Sequence, residues 1–419
     1  MKGKQAMCST EARTPAASEP LIFGARLRSA RAMRHMAAKD LAEKLGISSA
    51  TLSRWERSDT CIVEPALLEN LAFSLGFPRS WFQEEPRAFA SNAQPHFRAN
   101  SRMTKRSEEA VKVWWQGLAE MVATLDRTVN LMPSHLPTHR EPAAAAALLR
   151  EQMGFSPSAP IPHLIRAAEA LGVYVGTCGF DEDLHLKNHD ASSDWANLEN
   201  RPSVPVVLCR EHSSWERTRF SFAHELGHLV MHRYGGGPEK EKEATEFAGE
   251  LLVPTASLAV EWPGHATILN LLPLKRKWGI SIAALVMRGA AIGLISDAKK
   301  TSLFKQLSNG RNQGSKKRWR QDEPGSADRS IERPLLIANA IEVGYGVPPN
   351  LAAFYRDLPA TLGNEIYRDF LPNFECGWSR QMKHEASRPA VDRRVHDDTA
   401  GSGTVVTADF ANRRVHVSL

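Results

Sequence analysis

The run Arg219-Phe220-Ser221-Phe222-Ala223-His224-Glu225-Leu226-Gly227-His228-Leu229-Val230-Met231-His232 carries the residues best suited to chemistry. Positions i and i+4 of a helix lie on one face, so His224 and His228 can both reach one metal ion. Neutral imidazole suits zinc, and an open fourth position would hold water. Glu225 lies between the two histidines, placed to take a proton from that water. Phe220, Ala223, Leu226, Leu229 and Val230 recur at helical spacing, so the helix that positions these groups is expected to be buried. The competing reading is a core helix with two satisfied histidines, and the acidic helix downstream disfavours it.

The elements around this helix follow from punctuation and periodicity. Residues 161–171 read as a helix, Val173-Tyr174-Val175 as a strand and 204–208 as a second short strand. Pro205 cannot donate to a ladder, which places that second strand at a sheet edge. A free edge can pair with an extended peptide. Gly235, Gly236 and Gly237 stop the histidine helix, and Pro238 suits the first position of the next one. Glu239, Glu241 and Glu243 then favour its N-terminus. That helix is expected to run to about Leu252, burying Phe247, Leu251 and either Ala244 or Ala248. Its carboxylates form the acidic cluster close behind the histidines. A third ligand from such a following helix would be the gluzincin arrangement, with His, His and Glu on zinc.

Residues 21–82 read as a compact set of short helices. Phe23, Leu27 and Ala30 make one apolar stripe, and Leu41, Ala42 and Leu45 a second. Gly46 supplies a turn, Ile47 plugs the core, and Ser48 can cap the next helix. That helix packs Ala50 and Leu52 and exposes Ser49, Thr51 and Arg54. A helix, a short turn and a second helix with small polar and Arg side chains outward is an arrangement that enters a major groove. The run Asp40-Leu41-Ala42-Glu43-Lys44-Leu45-Gly46-Ile47-Ser48 followed by Leu52-Ser53-Arg54-Trp55-Glu56-Arg57 resembles the phage-repressor-like XRE (Cro/CI-type) helix-turn-helix family. The resemblance implies double-stranded DNA as a partner, with Lys39, Ser48, Ser49, Thr51 and Arg54 as contacts. Ala38 stands where such domains commonly carry Gln. Paired operator half-sites would make a homodimer natural.

Two motifs further on act together. Arg217-x-Arg219-Phe220-x-x-Ala223-His224-Glu225-Leu226-Gly227-His228-x-x-x-His232, then Glu241-x-Glu243-Ala244-x-x-Phe247-Ala248-x-Glu250-Leu251-Leu252-Val253-Pro254, resembles the ImmA/IrrE family of metallo-endopeptidases. The likeness extends over about 97–297 and more loosely to Tyr367. It implies a zinc cofactor (Zn2+) on His224, His228 and Glu243, with Glu241 and Glu246 as second choices and Glu225 as the catalytic base. Thr245 stands where the family often has Asn or Asp. His232 and Tyr234 are the candidates for stabilising an oxyanion. The implied function is a DNA-binding regulator with zinc-dependent endopeptidase activity, cleaving itself or a phage-repressor-like transcription factor to relieve repression. Cleavage in cis is expected near 86–107. The alternative is a transcription factor whose peptidase-like module is a non-catalytic sensor or partner-binding domain.

The expected architecture is multidomain and mainly α. A disordered lead-in at 1–20 precedes a five-helix DNA-binding domain at 21–82. A linker and connecting helix fill 83–140, with Trp114, Trp115, Leu118, Met121 and Leu125 as its packing face. An α+β zincin-like peptidase domain with a small sheet follows at 141–297. A helical region with a basic loop occupies 298–370, and a poorly ordered tail 371–419, in which 403–407 and 414–419 could form a hairpin. The segment 275–297 repeats a helix-turn-helix-like pattern, read as a structural layer, with a second DNA-binding unit as the alternative. In the basic loop, Arg311, Lys316, Lys317, Arg318 and Arg320 lack acidic neighbours and are read as solvated, with a phosphate-contacting arm as the alternative.

Composition sets the outer bounds. The 419 residues are 42% hydrophobic. No run approaches the length of a membrane span, so no membrane is expected. Lys2, Lys4, Glu11, Arg13 and Glu19 interrupt the first twenty residues, which does not suit a signal peptide. The net charge of +6 permits nucleic-acid binding. Five cysteines, scattered and never CxxC, fit a reducing cytoplasm and leave any metal to His and carboxylate.

Overall fold

The computed structural model describes residues 20–85, 96–97, 104–178, 190–210, 214–233, 238–314, 316–347, 349–350, 353–354, 357, 406–409 and 414–417. The chain divides into two compact units, Met1–Pro86 and Arg87–Leu419.

The first unit holds five helices: α1 (Gly24–Met33), α2 (Ala38–Lys44), α3 (Ser49–Arg57), α4 (Pro65–Leu75) and α5 (Arg79–Gln83). A short antiparallel ribbon, β1 (Leu21–Phe23) with β2 (Thr60–Ile62), ties the start of α1 to the segment between α3 and α4. Leu27, Leu41, Leu52, Leu71 and Phe82 are fully buried in its core. Gly46 takes the left-handed conformation between α2 and α3, at φ 66°. Ser48 caps α3 by accepting from the Thr51 amide at 3.0 Å. Ile47 is half-buried, and Ala50, expected to pack, is exposed at the start of α3. The first turn of a helix points its side chains past the core before the helix reaches it, and Leu52 makes the packing contact instead.

Buried charge aligns the helices. Arg31 on α1 grips Glu56 on α3 with both carboxylate oxygens, at 2.5 and 2.8 Å. Gly24 lies so close to α3 that a Cβ there would sit 2.0 Å from the Trp55 carbonyl. Removing one member of a buried pair strands the other, which costs several kcal/mol. Glu56→Ala is therefore expected to destabilise this unit by about 3 kcal/mol. Denaturant unfolding followed by fluorescence measures it, and a change below about 0.5 kcal/mol would contradict the assignment.

The second unit is built on a mixed four-stranded sheet in the order β3-β5-β6-β4. The strands are β3 (His96–Phe97), β4 (Tyr174–Cys178), β5 (Ala191–Leu198) and β6 (Arg201–Arg210). β6 pairs antiparallel with β5 and parallel with β4. The strand containing Pro205 is thus interior, which corrects the edge assignment. The parallel ladder begins only at Val206, opposite Tyr174, so the proline stands one residue outside it. A missing N–H costs nothing where no partner faces it.

Helices cover both faces of this sheet. α6 (Lys105–Val129) is capped by Thr104 and buried along most of its length. Its Leu118 closes over Gly176 on β4, and its Trp115 indole donates to the Val206 carbonyl at 3.2 Å. The tryptophans of α6 are thus packing groups. On the other face, Val175, Ala191, Val207 and Cys209 join one core with α7 (Pro142–Gln152), α8 (Leu164–Glu169), α9 (Trp215–Met231) and α10 (Pro238–Leu252).

Beyond them lie α11 (Thr255–Glu261), α12 (Leu272–Trp278), α13 (Ile282–Ala291), α14 (Asp297–Asn309) and α15 (Leu336–Tyr345). α12 and α13 repeat the earlier turn, with Gly279 left-handed at φ 67° and Ser281 capping α13. Here the second helix presents Ala283, Ala284 and Met287 rather than hydroxyls and free guanidinium groups. Arg288 is committed to Glu250 at 3.0 Å. The pair is a supporting layer, pinned by the fully buried Lys275 between Glu216 at 2.6 Å and Glu323 at 3.1 Å. Residues Val406–Asp409 (β7) and Arg414–Val417 (β8) form an antiparallel hairpin. The rest of the tail beyond residue 357 and the lead-in lie outside the described residues.

One buried carboxylate carries a pH signature. Glu169 on α8 accepts from the Leu335 and Leu336 amides at 2.8 and 2.7 Å, at the start of α15. Burial pushes its pKa from 4.5 up to about 7, against those hydrogen bonds. The folded chain then keeps a proton that the unfolded chain has lost. Stability is full below about pH 4.5 and falls as pH rises toward about 7, by about 3 kcal/mol in total. Glu169→Gln removes the proton and should flatten this slope. Urea midpoints at pH 5 and pH 8 would show it, and an unaltered slope would count against the assignment.

Candidate metal centre

α9 is set by its cap and its core face. Ser214 accepts from the Arg217 amide at 3.3 Å, and Phe222, Leu226 and Leu229 anchor the helix under the sheet. That burial fixes the rotation of the opposite residues. His224, Glu225 and His228 are at most 1% exposed.

α10 crosses close beside α9 because position 227 lacks a side chain. A Cβ on Gly227 would meet the Phe247 ring at 2.9 Å and the Ala244 Cα at 3.2 Å. Ala244, Phe247, Ala248 and Leu251 are fully buried at this contact. The approach brings one carboxylate of α10 to the histidines. Glu241 Oε2 lies 3.2 Å from His224 Nε2, and its Oε1 lies 3.2 Å from His228 Nε2. The two imidazole Nε2 atoms are themselves 3.1 Å apart. Among the described residues, His224, His228 and Glu241 are the group whose donor atoms all fall within 4.8 Å of one another.

These residues fit a zinc ion. Two imidazole nitrogens and one carboxylate oxygen form the donor set of open, three-ligand zinc sites. Crowding of three lone-pair-bearing atoms is favourable when a cation sits among them. The other ring nitrogens are already occupied. His224 Nδ1 lies 3.3 Å from the Thr245 hydroxyl, which itself donates to the Glu241 carbonyl at 2.8 Å. Burial raises the Glu241 pKa, but the contacts with His224 and His228 outweigh it and hold the carboxyl below its ordinary value.

Glu243, expected as the third ligand, is not brought to this pair. Its Oε2 contacts His232 Nε2 at 2.7 Å instead. The reason is helical phase. Glu241 is seven residues before the buried Ala248, about 20° off its direction, whereas Glu243 is five before it and about 140° away. Glu246 is exposed. His232 is turned onto His228 and Glu243 rather than toward the open side of the cluster. Burial lowers its pKa against the pull of Glu243. Tyr234 and most of 86–107 lie outside the described residues.

Glu225 is held from the sheet. Its Oε2 accepts from the Ser193 hydroxyl at 2.7 Å. Ser193 lies on β5, a strand absent from the sequence reading. β5 is also the strand that takes β3 on its outer side, with Ser193 opposite His96 and Ser192 opposite Phe97. The backbone of the linker thus enters the sheet at the residue that holds Glu225.

In the first unit, Lys39, Ser48, Ser49 and Arg54 are exposed and Thr51 is half-buried. Ser48 and Thr51 share a hydrogen bond of 2.9 Å between their hydroxyls. Arg31 and Arg34, by contrast, are committed to contacts within the unit.

Comparison with known protein families agrees with both units. Residues 168–289 match the peptidase family described as the IrrE N-terminal-like domain. Residues 22–81 match a helix-turn-helix domain family. A search of curated proteins found no match. No helix among the described residues is long and apolar enough to cross a membrane.

Proposed function

We propose, from an IrrE N-terminal-like peptidase domain behind a helix-turn-helix domain, that this chain is a DNA-binding regulator with zinc-dependent endopeptidase activity. The observation that carries this reading is the convergence of His224, His228 and Glu241 beside Glu225. His224, His228 and Glu241 are assigned as the metal ligands, Glu225 as the base, and Lys39, Ser48, Ser49, Thr51 and Arg54 as the DNA-facing set.

A bound zinc ion would supply Lewis acidity toward water and toward a peptide carbonyl. The chain's own residues do the rest. Glu225 takes a proton from water as the water oxygen bonds to the carbonyl carbon, and gives it to the leaving nitrogen as the C–N bond breaks. Ser193 holds that carboxylate in place. Thr245 fixes the ring of His224. The outer side of β5 offers backbone groups to an extended peptide, the mode of strand addition.

The substrate assigned here is an extended segment of a repressor-like transcription factor, or the linker of this chain. The linker favours itself as a candidate because His96 and Phe97 already pair with β5 opposite Ser192 and Ser193. Purified full-length protein, incubated with zinc alone and with candidate repressors, is the test. Fragments that depend on Glu225 support the enzyme. Zinc binding and DNA binding with no cleavage of any of these chains would leave a metal-holding sensor module.

A further inference from the structure

We infer that Glu243 and His232 form a positioning relay that sets the tautomer and orientation of His228. The inference rests on the reading of His224, His228 and Glu241 as metal ligands.

His228 is fully buried, and its two ring nitrogens face different partners. Its Nε2 faces Glu241 and His224. Its Nδ1 lies 3.1 Å from the Nδ1 of His232. The other nitrogen of His232, Nε2, lies 2.7 Å from Glu243 Oε2. A neutral imidazole has one N–H donor and one lone pair. If His228 turns the Nε2 lone pair to a metal, its proton must sit on Nδ1. That proton needs an acceptor, so His232 must present a lone pair at Nδ1. The His232 proton is then on Nε2, where it donates to the Glu243 carboxylate. One proton arrangement satisfies all three groups.

The two histidine ligands are therefore supported differently. The Nδ1 of His224 meets a hydroxyl, that of Thr245. The Nδ1 of His228 meets an imidazole backed by a carboxylate. A charge-assisted chain holds the His228 ring in one tautomer and one orientation, and the groups behind a ligand commonly contribute ten- to a hundredfold in metal affinity. His232 lies one further turn along α9 from His228, so the same helix that spaces the ligands also spaces the relay. Glu243 reaches it from α10. The relay thus closes only when α9 and α10 are packed at Gly227, which couples ligand geometry to the helix contact.

The test is zinc affinity of the full chain by chelator competition, with the cobalt(II) visible spectrum as a second readout of the ligand field. His232→Ala is expected to weaken zinc by about 10- to 100-fold and shift the cobalt bands. His232→Asn keeps an acceptor near the Nδ1 position and should recover much of that loss. Glu243→Gln keeps an acceptor without the charge and should weaken zinc by only about threefold to tenfold. Wild-type affinity in all three variants would overturn the relay. So would an Asn variant as weak as Ala, with melting of the metal-free protein lowered equally, since that is merely structural. Complete loss of zinc in Glu243→Gln would make Glu243 itself a ligand and overturn the relay in another way. If the wild-type chain takes up no zinc, the ligand reading fails instead, and the two failures are distinct.

Discussion

Glu225→Gln is expected to cut peptide hydrolysis by about a hundred- to ten-thousandfold while leaving zinc content and DNA binding as they were. The magnitude is that of a positioned general base. Glutamine matches glutamate in volume, so the buried site of Glu225 keeps its packing. Its amide still meets the Ser193 hydroxyl, which can donate or accept. What is lost is the ability to take a proton. Zinc should be retained because His224, His228 and Glu241 are untouched. The measurement is cleavage of the chain itself, or of a candidate repressor, in wild type and variant at equal zinc loading. Equal fragment yields would remove Glu225 from the mechanism. A variant that also loses zinc would mean that Glu225 holds the metal centre together rather than acting on substrate.

The elements that were legible in the sequence are those whose burial is written in periodic apolar residues. α9 is marked by Phe222, Leu226 and Leu229, and α3 by the turn at Gly46 and the cap at Ser48. β5 was not legible, because its inward residues are polar. Ser192, Ser193 and Asp194 are buried without an apolar alternation to announce them. Ser193 is inside because it serves Glu225, and Asp194 because its Oδ1 accepts from the Trp195 amide at 2.8 Å. Buried polar groups with partners are affordable in the fold and invisible to a hydrophobic pattern. The same limit applied to Pro205. A residue that reads as an edge marker was tolerated inside the sheet because the neighbouring ladder starts one position later. Among the residues proposed to face DNA, the sequence supplied side-chain type and phase, and the structure adds that the Ser48 hydroxyl also accepts from its own helix.

The third ligand separates pattern from geometry. Glu241→Ala is expected to weaken zinc by about a thousandfold, Glu243→Ala by no more than about a hundredfold, and Glu246→Ala not at all. Structural zinc sites release about 10 to 16 kcal/mol at neutral pH, so one of three or four protein ligands carries about 4 kcal/mol, or about three orders of magnitude. A group acting through another carries less. Glu241 touches both ligand nitrogens at 3.2 Å, whereas Glu243 touches only His232. A carboxylate next to Ala244 in sequence looks closer to the buried face than one three residues before it. On a helix the reverse holds, because three residues bring the chain almost back to the same side and one residue turns it by about 100°. The spacing of Glu241 to Ala244 and to Ala248 is therefore the sequence signal that places its carboxylate beside His224 and His228. Zinc titration of the three alanine variants orders them. If Glu243→Ala proved the weakest binder, α10 would have to be rotated by about 160° on α9, and the close packing of Ala244 and Phe247 against Gly227 could not survive that rotation.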